Sequence, residues 1–293
     1  MFQRNVMLAA LWMAGAIASF SLMAVAGREV SFDHDTFEIL FYRSLVSFSI
    51  VLVVAGSTGA LRQVNSRQFG LHFVRNLCHF TGQNLWFYAL ALIPLAQVMA
   101  LEFTSPIWVA LLAPLVLGER LTPVNAIAAV VGFAGVLMVV RPEAGNISPP
   151  MMAAAASAIC FAASALFTRK LSRTATITCI MFWLALMQAV MGFLGAAADG
   201  DIALPAARSV PWLVLIGATG LSAHFCLSTA LSLAPAAIVM PMDFLRLPVL
   251  AIVGAVFYAE PIDATMILGA AVIFLANWLN IRDSMRSAKH RSI

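Results

Sequence analysis

The stretch ALALIPLAQVM at residues 89–99 recurs in related form as ALSLAPAAIVM at residues 230–240. The two copies lie 141 residues apart, and Pro94 and Pro235 occupy the same position in each. Chance readily matches Leu and Ala in apolar sequence, but it does not readily match a proline in the same frame. The sequence therefore indicates an internal repeat that spans about half of the chain.

The register of this repeat continues beyond the first match. Glu102 corresponds to Asp243, and Glu119 corresponds to Glu260, at the same offset of 141. Each half thus carries one acid inside an apolar run and a second acid where that run ends. Two acids and a proline in one frame strengthen the evidence for duplication of a whole unit.

The composition excludes a water-soluble fold. Of the 293 residues, 62% are hydrophobic and only 10% are charged, and the mean hydropathy is +0.95. A soluble domain with a polar surface does not reach such values. The formal charge of +4 comes from short loops and the C-terminal tail, which indicates membrane topology and not a nucleic-acid-binding patch.

Ten apolar stretches have the length needed to cross a bilayer. Each is a continuous apolar run bounded by charges or by Pro and Gly, so the segments are predicted as helices and not as strands of a barrel. They lie at residues 6–27, 36–56, 72–92, 96–117, 123–140, 150–168, 176–197, 210–232, 236–257 and 263–281.

The positions of Lys and Arg predict the orientation of these helices. With the N-terminus inside, the inner segments carry twelve of these residues and the outer loops carry three, among them Arg28. Both termini are therefore predicted to be cytoplasmic. Because five helices separate equivalent positions, the two halves have opposite orientation, which is the arrangement of secondary transporters. We expect five-helix repeats at residues 1–142 and 148–283, followed by a basic cytoplasmic tail at 284–293.

The sequence resembles the drug/metabolite transporter superfamily, in particular its ten-helix EamA-like branch. The resemblance covers nearly the whole chain and is most specific in LGERL at 117–121 and GFAGV at 132–136. The second half has the weaker copy FYAEP at 257–261, in which Ala259 replaces the usual glycine. The resemblance implies a multi-pass protein of the bacterial inner membrane, with helices 3, 4, 8 and 9 and parts of 1 and 6 around a central cavity.

Four ionisable residues lie inside predicted spans, namely Arg43, Glu102, Asp243 and Arg246. Such residues cost roughly 2.5 to 3.5 kcal/mol each on insertion scales and usually face a cavity or a partner. Glu102 and Arg246 are candidates to bind the two charges of a zwitterionic amino acid. Alternatively, Asp243 and Arg246 are spaced i, i+3 and neutralise each other as a structural pair.

Helix 3 presents a polar stripe formed by His79, Gln83 and Trp86. Their spacing places them on one helix face that is too polar to prefer lipid, so we expect them to line the cavity. The repeat matches Gln83 with His224 of helix 8. A membrane histidine of this kind is either an interhelical hydrogen-bonding residue or, less commonly, a proton carrier.

Two further sets of residues have structural alternatives. Trp108 and Trp183 lie deep in predicted spans, where they either accept apolar or aromatic substrate groups or pack helices together. Glu119 and Glu260 end helices 4 and 9, where a carboxylate can accept hydrogen bonds from the N-terminus of the next helix. Together with Pro94 and Pro235, they are predicted to have gating or structural roles. The loop triplet at 33–35, Asp-His-Asp, is interpreted as solvated.

The motifs restrict the function class. The sequence has no GxxxxGK[ST] motif for ATP, and it has neither HExxH nor GxSxG, so neither a pump nor an enzyme is indicated. The four cysteines lack metal-ligand spacing, and no metal or cofactor is expected. The loops are too short for a sensor domain.

The predicted partners are therefore a small molecule and the lipid bilayer. The resemblance implies export of amino acids or related metabolites by a monomer or a homodimer. Import of another metabolite such as S-adenosylmethionine, and export of drugs or cations, stay open as alternatives.

Overall fold

The structure is a computed structural model and describes residues 2–117, 123–141, 147–198, 200, 202–233 and 242–290. Within these ranges the chain forms helices and contains no strand. Glu119 and Pro235, which were singled out as helix-end residues, lie outside the described residues.

Most helices follow the predicted spans, but α11 continues to His290, into the segment predicted as a basic tail. The described residues contain α1 (Phe2–Val30), α2 (Thr36–Ser57), a short 3-10 helix (Ala60–Gln63), α3 (Phe69–Leu92), α4 (Leu95–Glu102), α5 (Ser105–Leu117), α6 (Pro123–Val140), α7 (Pro149–Leu171), α8 (Ile177–Ala196), α9 (Val210–Leu233), α10 (Arg246–Tyr258) and α11 (Ala264–His290). Equivalent helices begin at the repeat offset, since α3 starts at Phe69 and α9 at Val210.

Five of the described helices are long and apolar enough to cross a membrane by themselves. They contain the spans Met7–Val30, Thr36–Ser57, Pro149–Leu171, Ile177–Ala196 and Val210–Leu227. Long apolar helices of this kind expose side chains such as Val53 and Leu194 over more than 60% of their surface, which is unfavourable in water and favourable in lipid.

The predicted span at 96–117 is interrupted, which the sequence interpretation missed. α4 ends at Glu102 and α5 begins at Ser105, so the helix breaks at residues 103–104. Residues 244–245 form the equivalent break before α10. A proline near the start of each following helix explains the position, because Pro106 and Pro248 have no N–H to bond the carbonyl four residues earlier. At the first break the chain turns through short-range hydrogen bonds, since Phe103 N–H donates to Met99 O at 2.9 Å and Thr104 N–H donates to Leu101 O at 3.1 Å. Broken helices of this kind occur at the substrate sites of many transporters.

Each helix of the first half packs mainly on a helix of the second half. The main pairs are α1 with α9, α3 with α7, α2 with α8, α6 with α11 and α4 with α10. Exchanging the halves converts the α1–α9 pair into the α7–α3 pair and leaves the α2–α8 and α6–α11 pairs unchanged. The packing therefore has twofold pseudosymmetry, with the broken helices α4 and α10 next to each other.

Close helix crossings depend on glycine in this bundle. At the crossing of α6 and α11, a Cβ atom on Gly135 would lie 2.9 Å from the carbonyl oxygen of Gly269. A larger residue at either position would force the helices apart, so small residues set how closely this pair of helices packs.

The helix bundle has two ends. Arg28, Pro94 and Glu260 mark the Arg28 end, and Arg67 marks the opposite, Arg67 end. At the Arg28 end, an exposed ion pair joins Arg141 to Asp263 at 2.5 Å.

The loop triplet at 33–35 is more structured than a solvated loop. Asp35 caps α2 by accepting hydrogen bonds from the backbone of Phe37 and Glu38. Asp33 pairs with Arg208 and accepts a hydrogen bond from Ser209 Oγ at 2.8 Å. These contacts lower the pKa of Asp33, mainly through the Ser209 and Arg208 hydrogen bonds. In the described part of the chain, no three potential metal ligands come together.

Candidate functional site

Three of the predicted charged residues meet where the two helix breaks face each other. Arg246 Nη2 lies 2.8 Å from Glu102 Oε1 and 3.2 Å from Asp243 Oδ2. Glu102 ends α4 and Asp243 directly precedes the second break, so each half of the repeat contributes one acid. We call Glu102, Asp243 and Arg246 the acidic cluster, because it contains two carboxylates and one guanidinium.

Aromatic side chains enclose the acidic cluster. Trp86 Nε1 donates a hydrogen bond to Glu102 Oε2 at 2.8 Å. The Arg246 guanidinium carbon lies 4.8 Å from the ring centroid of Phe20 and 5.2 Å from that of Phe103. Both distances are within the range of cation–π contacts, which strengthen when the cation is withdrawn from water. Arg246 is only 5% exposed.

Some polar atoms of this cluster have capacity for a further ligand. Among the described residues, neither Asp243 Oδ1 nor Arg246 Nε has a hydrogen-bond partner, and both atoms are buried. An unpaired buried donor or acceptor costs about 1–3 kcal/mol, so such groups usually have a function that requires them. The cluster therefore offers one acceptor and one donor to a bound molecule.

The hypothesis that Glu102 and Arg246 bind opposite charges of one amino acid needs revision. The structure pairs them directly with each other, so neither is a free charge. The alternative i, i+3 pair of Asp243 and Arg246 is present as well. Arg246 thus joins the two acids into one buried unit, and any ligand would bind at its remaining atoms.

The polar stripe of α3 meets α9 beside this unit. The rings of His79 and His224 lie 6.0 Å apart, and the His224 ring lies 5.5 Å from that of Phe20. Phe161 of α7 covers His79 at a centroid distance of 5.7 Å. Gln83 is 5% exposed, and its Oε1 atom has no hydrogen-bond partner among the described residues. The structure thus brings His79 and His224 together, a contact that the repeat, which matches His224 with Gln83, did not predict.

Arg43 of α2 lies next to these histidines. Its Nη2 atom would be 3.1 Å from a Cβ atom on Gly220, and Gly220 is one helical turn before His224 on α9. Arg43 is 6% exposed. Within the described residues, Arg43 Nε and Nη1 have no hydrogen-bond partner.

Arg75 is a buried residue that the sequence interpretation placed among the inner surface charges. It is 4% exposed and lies one turn before His79 on α3. Its Nε atom donates to Thr168 Oγ1 at 3.0 Å, and Nη1 donates to Asn76 Oδ1 at 2.9 Å. We call Arg43, Arg75, His79 and His224 the basic cluster. No sequence signal separated Arg75 from the nearby surface arginines.

The two remaining tryptophans lie in different surroundings. Trp108 Nε1 donates to Thr104 Oγ1 at 3.2 Å and therefore lies at the first helix break. Trp183 Nε1 donates to the carbonyl oxygen of Asn65 at 2.8 Å, and its ring packs against Phe69 at 5.2 Å. Trp183 therefore lies toward the Arg67 end.

Glu260 closes the Arg28 end, but not in the predicted way. It accepts hydrogen bonds from the backbone N–H of Leu95 at 2.9 and 3.1 Å, and it forms an ion pair with Arg28. The prediction that it binds the next helix was wrong, since Asp263 caps that helix through the N–H of Met266. The N-terminus of α4 is a better partner, because Pro94 precedes it and supplies no capping side chain.

Arg28 completes this arrangement, which we call the Arg28 latch. Arg28 is 7% exposed, although it was predicted in an outer loop. Its Nε atom donates to the carbonyl oxygen of Leu90 at 2.8 Å, and Nη2 donates to that of Ile93. Its guanidinium also lies 4.9 Å from the ring centroid of Tyr258. The latch therefore connects α1, the end of α3 and the residues after α10.

The backbone before Glu260 explains why the family motif usually has glycine at the position of Ala259. Ala259 has φ 54° and ψ 30°, a left-handed backbone conformation. Glycine is favoured in this conformation because it has no Cβ atom. Gly254 faces the carboxylate so closely that a Cβ atom there would overlap Glu260 Oε2. The usual glycine before the acid is thus a conformational requirement, and alanine fulfils it with strain.

Two surface cavities lie at the ends of the bundle. One, of about 470 Å³, lies at the Arg67 end and is lined by Arg67, Gln68, Lys170, Arg173 and Thr174, among others. The other, of about 120 Å³, lies beside the Arg28 latch and contains Pro94 and Glu260.

Comparisons with known proteins agree with this architecture. The family model described as "EamA-like transporter family" matches residues 7–141 and, a second time, residues 148–282. The chain is 30% identical to the "Riboflavin transporter" of Rhizobium johnstonii, over 94% of this chain and 92% of that protein. It is 26% identical to the "S-adenosylmethionine uptake transporter" of Rickettsia bellii, over 90% of each. A solved structure described only as "Crystal structure of protein" has a TM-score of 0.66 at 19% identity, covering 95% of this chain and 98% of that one.

Proposed function

Because the chain belongs to the EamA-like transporter family, we propose that it takes up a heteroaromatic metabolite across the bacterial inner membrane by alternating access. Riboflavin and S-adenosylmethionine are the two candidate substrates, since relatives aligned over most of the chain are named for them. The acidic cluster is the proposed substrate site.

The observation that carries this proposal is the composition of the acidic cluster. A planar heterocycle needs aromatic surfaces, and Phe20 and Phe103 flank the Arg246 guanidinium. It also needs both a donor and an acceptor, which Arg246 Nε and Asp243 Oδ1 supply. The flavin ring presents carbonyl oxygens and an imide N–H, and S-adenosylmethionine presents adenine nitrogens and a sulfonium cation. Both match this mixed site.

The proposed architecture has ten spans in two oppositely oriented halves, at 1–142 and 148–283, with a basic tail at 284–293. Both termini are cytoplasmic, so the Arg28 end faces outward and the latch closes the outer side. The helix breaks at residues 103–104 and 244–245 lie between the Arg28 end and the Arg67 end of the bundle. A molecule bound there would be accessible from each side of the membrane in turn.

Uptake is favoured over export because the S-adenosylmethionine relative is named for uptake. Amino-acid export stays a prediction from the family resemblance. The direct pairing of Glu102 with Arg246 argues against it, because these were the charges assigned to a free amino acid.

The test is uptake by purified protein in proteoliposomes with radiolabelled riboflavin, S-adenosylmethionine and an amino-acid panel. We expect saturable uptake of one of the two heteroaromatic compounds. Uptake confined to amino acids would refute the proposed substrate class, and no uptake of any compound would refute the function as stated.

Variants connect the activity to the site. Arg246→Lys keeps the charge but loses the planar fork and its stacking on two rings, so we expect uptake to fall at least about tenfold. Arg208→Met is the matched control, since Arg208 is an exposed arginine whose side chain is 78% accessible. It should transport normally, and equal effects of the two variants would contradict the assignment.

A further inference from the structure

We propose that the basic cluster is a second, separate binding site that takes an anionic group, with the Arg43 guanidinium as its main ligand. This inference rests on the proposed transport function and specifies its substrate class. The preferred substrate carries a carboxylate or a similar anion at one end and a donor or cationic heterocycle at the other.

The first argument is the unmatched charge of Arg43. Buried charges in proteins are paired, because an isolated ion in a low-dielectric interior costs several kcal/mol or more. Arg28 and Arg246 are buried to a similar degree, and both have carboxylate partners. Arg43 has no ion-pair partner within the described residues, and two of its nitrogens lack any hydrogen bond there. An anion bound during transport would supply the missing partner.

The second argument is the space that α9 leaves for this guanidinium. Ser47 Oγ of α2 donates to the carbonyl oxygen of Gly217 at 3.1 Å, which fixes the two helices in close contact. Three residues later, Gly220 leaves room for the Arg43 guanidinium to extend over α9 toward Met23 of α1. A side chain at 220 would meet Arg43 Nη2 at 3.1 Å. Gly220 therefore leaves space for the Arg43 guanidinium in the interior of the bundle, although helix packing does not need an arginine there.

The third argument is the presence of lysine and arginine side chains both at the Arg67 end and deeper in the bundle. Arg67, Lys170 and Arg173 line the cavity at the Arg67 end. Arg75 is buried further inside and donates to Thr168 Oγ1 of α7. The positive-inside rule explains the surface residues. It does not explain Arg43 or Arg75, which face the interior and would attract an anion along this route.

The spacing of the two clusters limits the size of the ligand. Phe20 lies between them, with its ring centroid 4.8 Å from the Arg246 guanidinium and 5.5 Å from the His224 ring. Arg43 is a further helical turn away, at Gly220. A free amino acid carries its two charges on one carbon and cannot reach both clusters. An elongated metabolite can, and S-adenosylmethionine, which carries a carboxylate, is therefore favoured over neutral riboflavin.

The test compares two ligands that differ only in the anion. Binding of S-adenosylmethionine and of its decarboxylated form is measured by calorimetry on the purified full-length protein. We expect wild type to prefer the carboxylated form by roughly 10- to 100-fold, the range for a charge-assisted hydrogen bond. Arg43→Gln should remove the preference, Arg43→Lys should keep part of it, and the exposed-site control Arg62→Gln should leave it unchanged.

A second measurement needs no metabolite and separates this proposal from the proposed function. Thermal unfolding is followed while bulky morpholinoethanesulfonate is replaced by acetate or by chloride at constant ionic strength. Stabilisation of wild type but not of Arg43→Gln supports the site. If only acetate stabilises the wild-type protein, the site binds the carboxylate of a substrate. If chloride stabilises it as well, the site binds a free inorganic anion.

The outcomes are distinguishable. If neither heteroaromatic compound binds while acetate still stabilises only wild type, the proposed substrates are wrong and the anion site stands. If Arg43→Gln fails to fold, the Arg43→Lys variant decides, because it keeps the charge and loses only the fork geometry. No anion effect on wild type, together with equal affinity for the two ligands, would overturn the proposal.

Discussion

Glu260→Gln should open the Arg28 end of the protein. The substitution removes the negative charge that holds Arg28, while the amide oxygen still accepts a hydrogen bond from Leu95 N–H. The loss is therefore confined to the ion pair with Arg28. Arg28 would be left as an unpaired buried cation in the closed state, and opening would return it to water.

The size of the effect follows from burial. The side chains of Arg28 and Glu260 are 8% and 12% accessible, so the pair is weakly screened. A hydrogen bond between charged groups contributes about 1.5–3 kcal/mol, and a central value of about 2 kcal/mol corresponds to roughly a 30-fold change in an equilibrium constant. A closed state favoured 99 to 1 would then be favoured only about 3 to 1.

Distances between spin labels measure this shift. Ile147 and Leu204 are 63% and 86% exposed in loops at the Arg28 end, so labels there should not disturb packing. Both positions are changed to cysteine in a variant without the four native cysteines. We expect Glu260→Gln to add a longer distance with a population of roughly a quarter, from the ratio above.

Asp263→Asn is the matched control for this experiment. It removes the charge from a neighbouring pair at the same end, in which the side chains of Arg141 and Asp263 are 47% and 44% accessible. Exposed pairs contribute about 0–1 kcal/mol, and asparagine still caps α11 well. An unchanged distance distribution in Glu260→Gln, or the same change in both variants, would refute the latch.

Three further changes test local features. Ala259→Gly should raise thermal stability by about 1 kcal/mol, because it relieves a left-handed backbone, and a lower melting temperature would contradict this. Trp86→Phe should lower stability by about 1–3 kcal/mol, because it removes the indole donor from the partly buried Glu102 carboxylate; no change in thermal unfolding would contradict it. Hydrogen bonds from Ser209 and Arg208 lower the pKa of Asp33 in the folded protein. The charged Asp33 therefore stabilises the fold at pH values above its usual pKa of 3.8, and this stabilisation is lost as the pH falls through the lower, folded-state pKa. Asp33→Asn should remove that part of the pH dependence of unfolding, and identical profiles would contradict it.

The helices were predictable because their signals are local and strong. Long apolar runs bounded by charges give spans directly, and the observed α3 and α9 differ from the predicted segments by at most three residues at either end. The break after Glu102 was missed because the run from 96 to 117 stays apolar across it. Proline at 106 was the available signal, since it removes one helical hydrogen bond just where the chain unwinds.

The site was predictable only in part. Glu102, Asp243 and Arg246 were found because charge inside an apolar span is rare and costly. Arg28 and Arg75 were not, because each lies near a predicted helix end, where a long side chain normally reaches water. Their burial is set by neighbouring helices, and pairings between distant helices are not encoded in the spacing of residues along one of them.

The repeat divides the molecule into parts that recur and parts that do not. Arg28 and Glu260 of the latch have Arg169 and Glu119 at equivalent sequence positions in the other half. This recurrence is expected for closure, because two opposite ends have to close in turn around one site.

The residues proposed to bind the substrate show the opposite pattern. Arg246 corresponds to Ser105, which donates to the carbonyl oxygen of Ala158 at 3.1 Å, and Arg43 corresponds to Leu184. His79 corresponds to Gly220, the residue that gives the Arg43 guanidinium its space. A ligand with two different ends cannot be bound by two equivalent half-sites, so the proposal requires that each arginine assigned to binding occurs in one half only. Changes at these unmatched positions should therefore alter what is bound, whereas changes at the matched latch positions should alter which end is open.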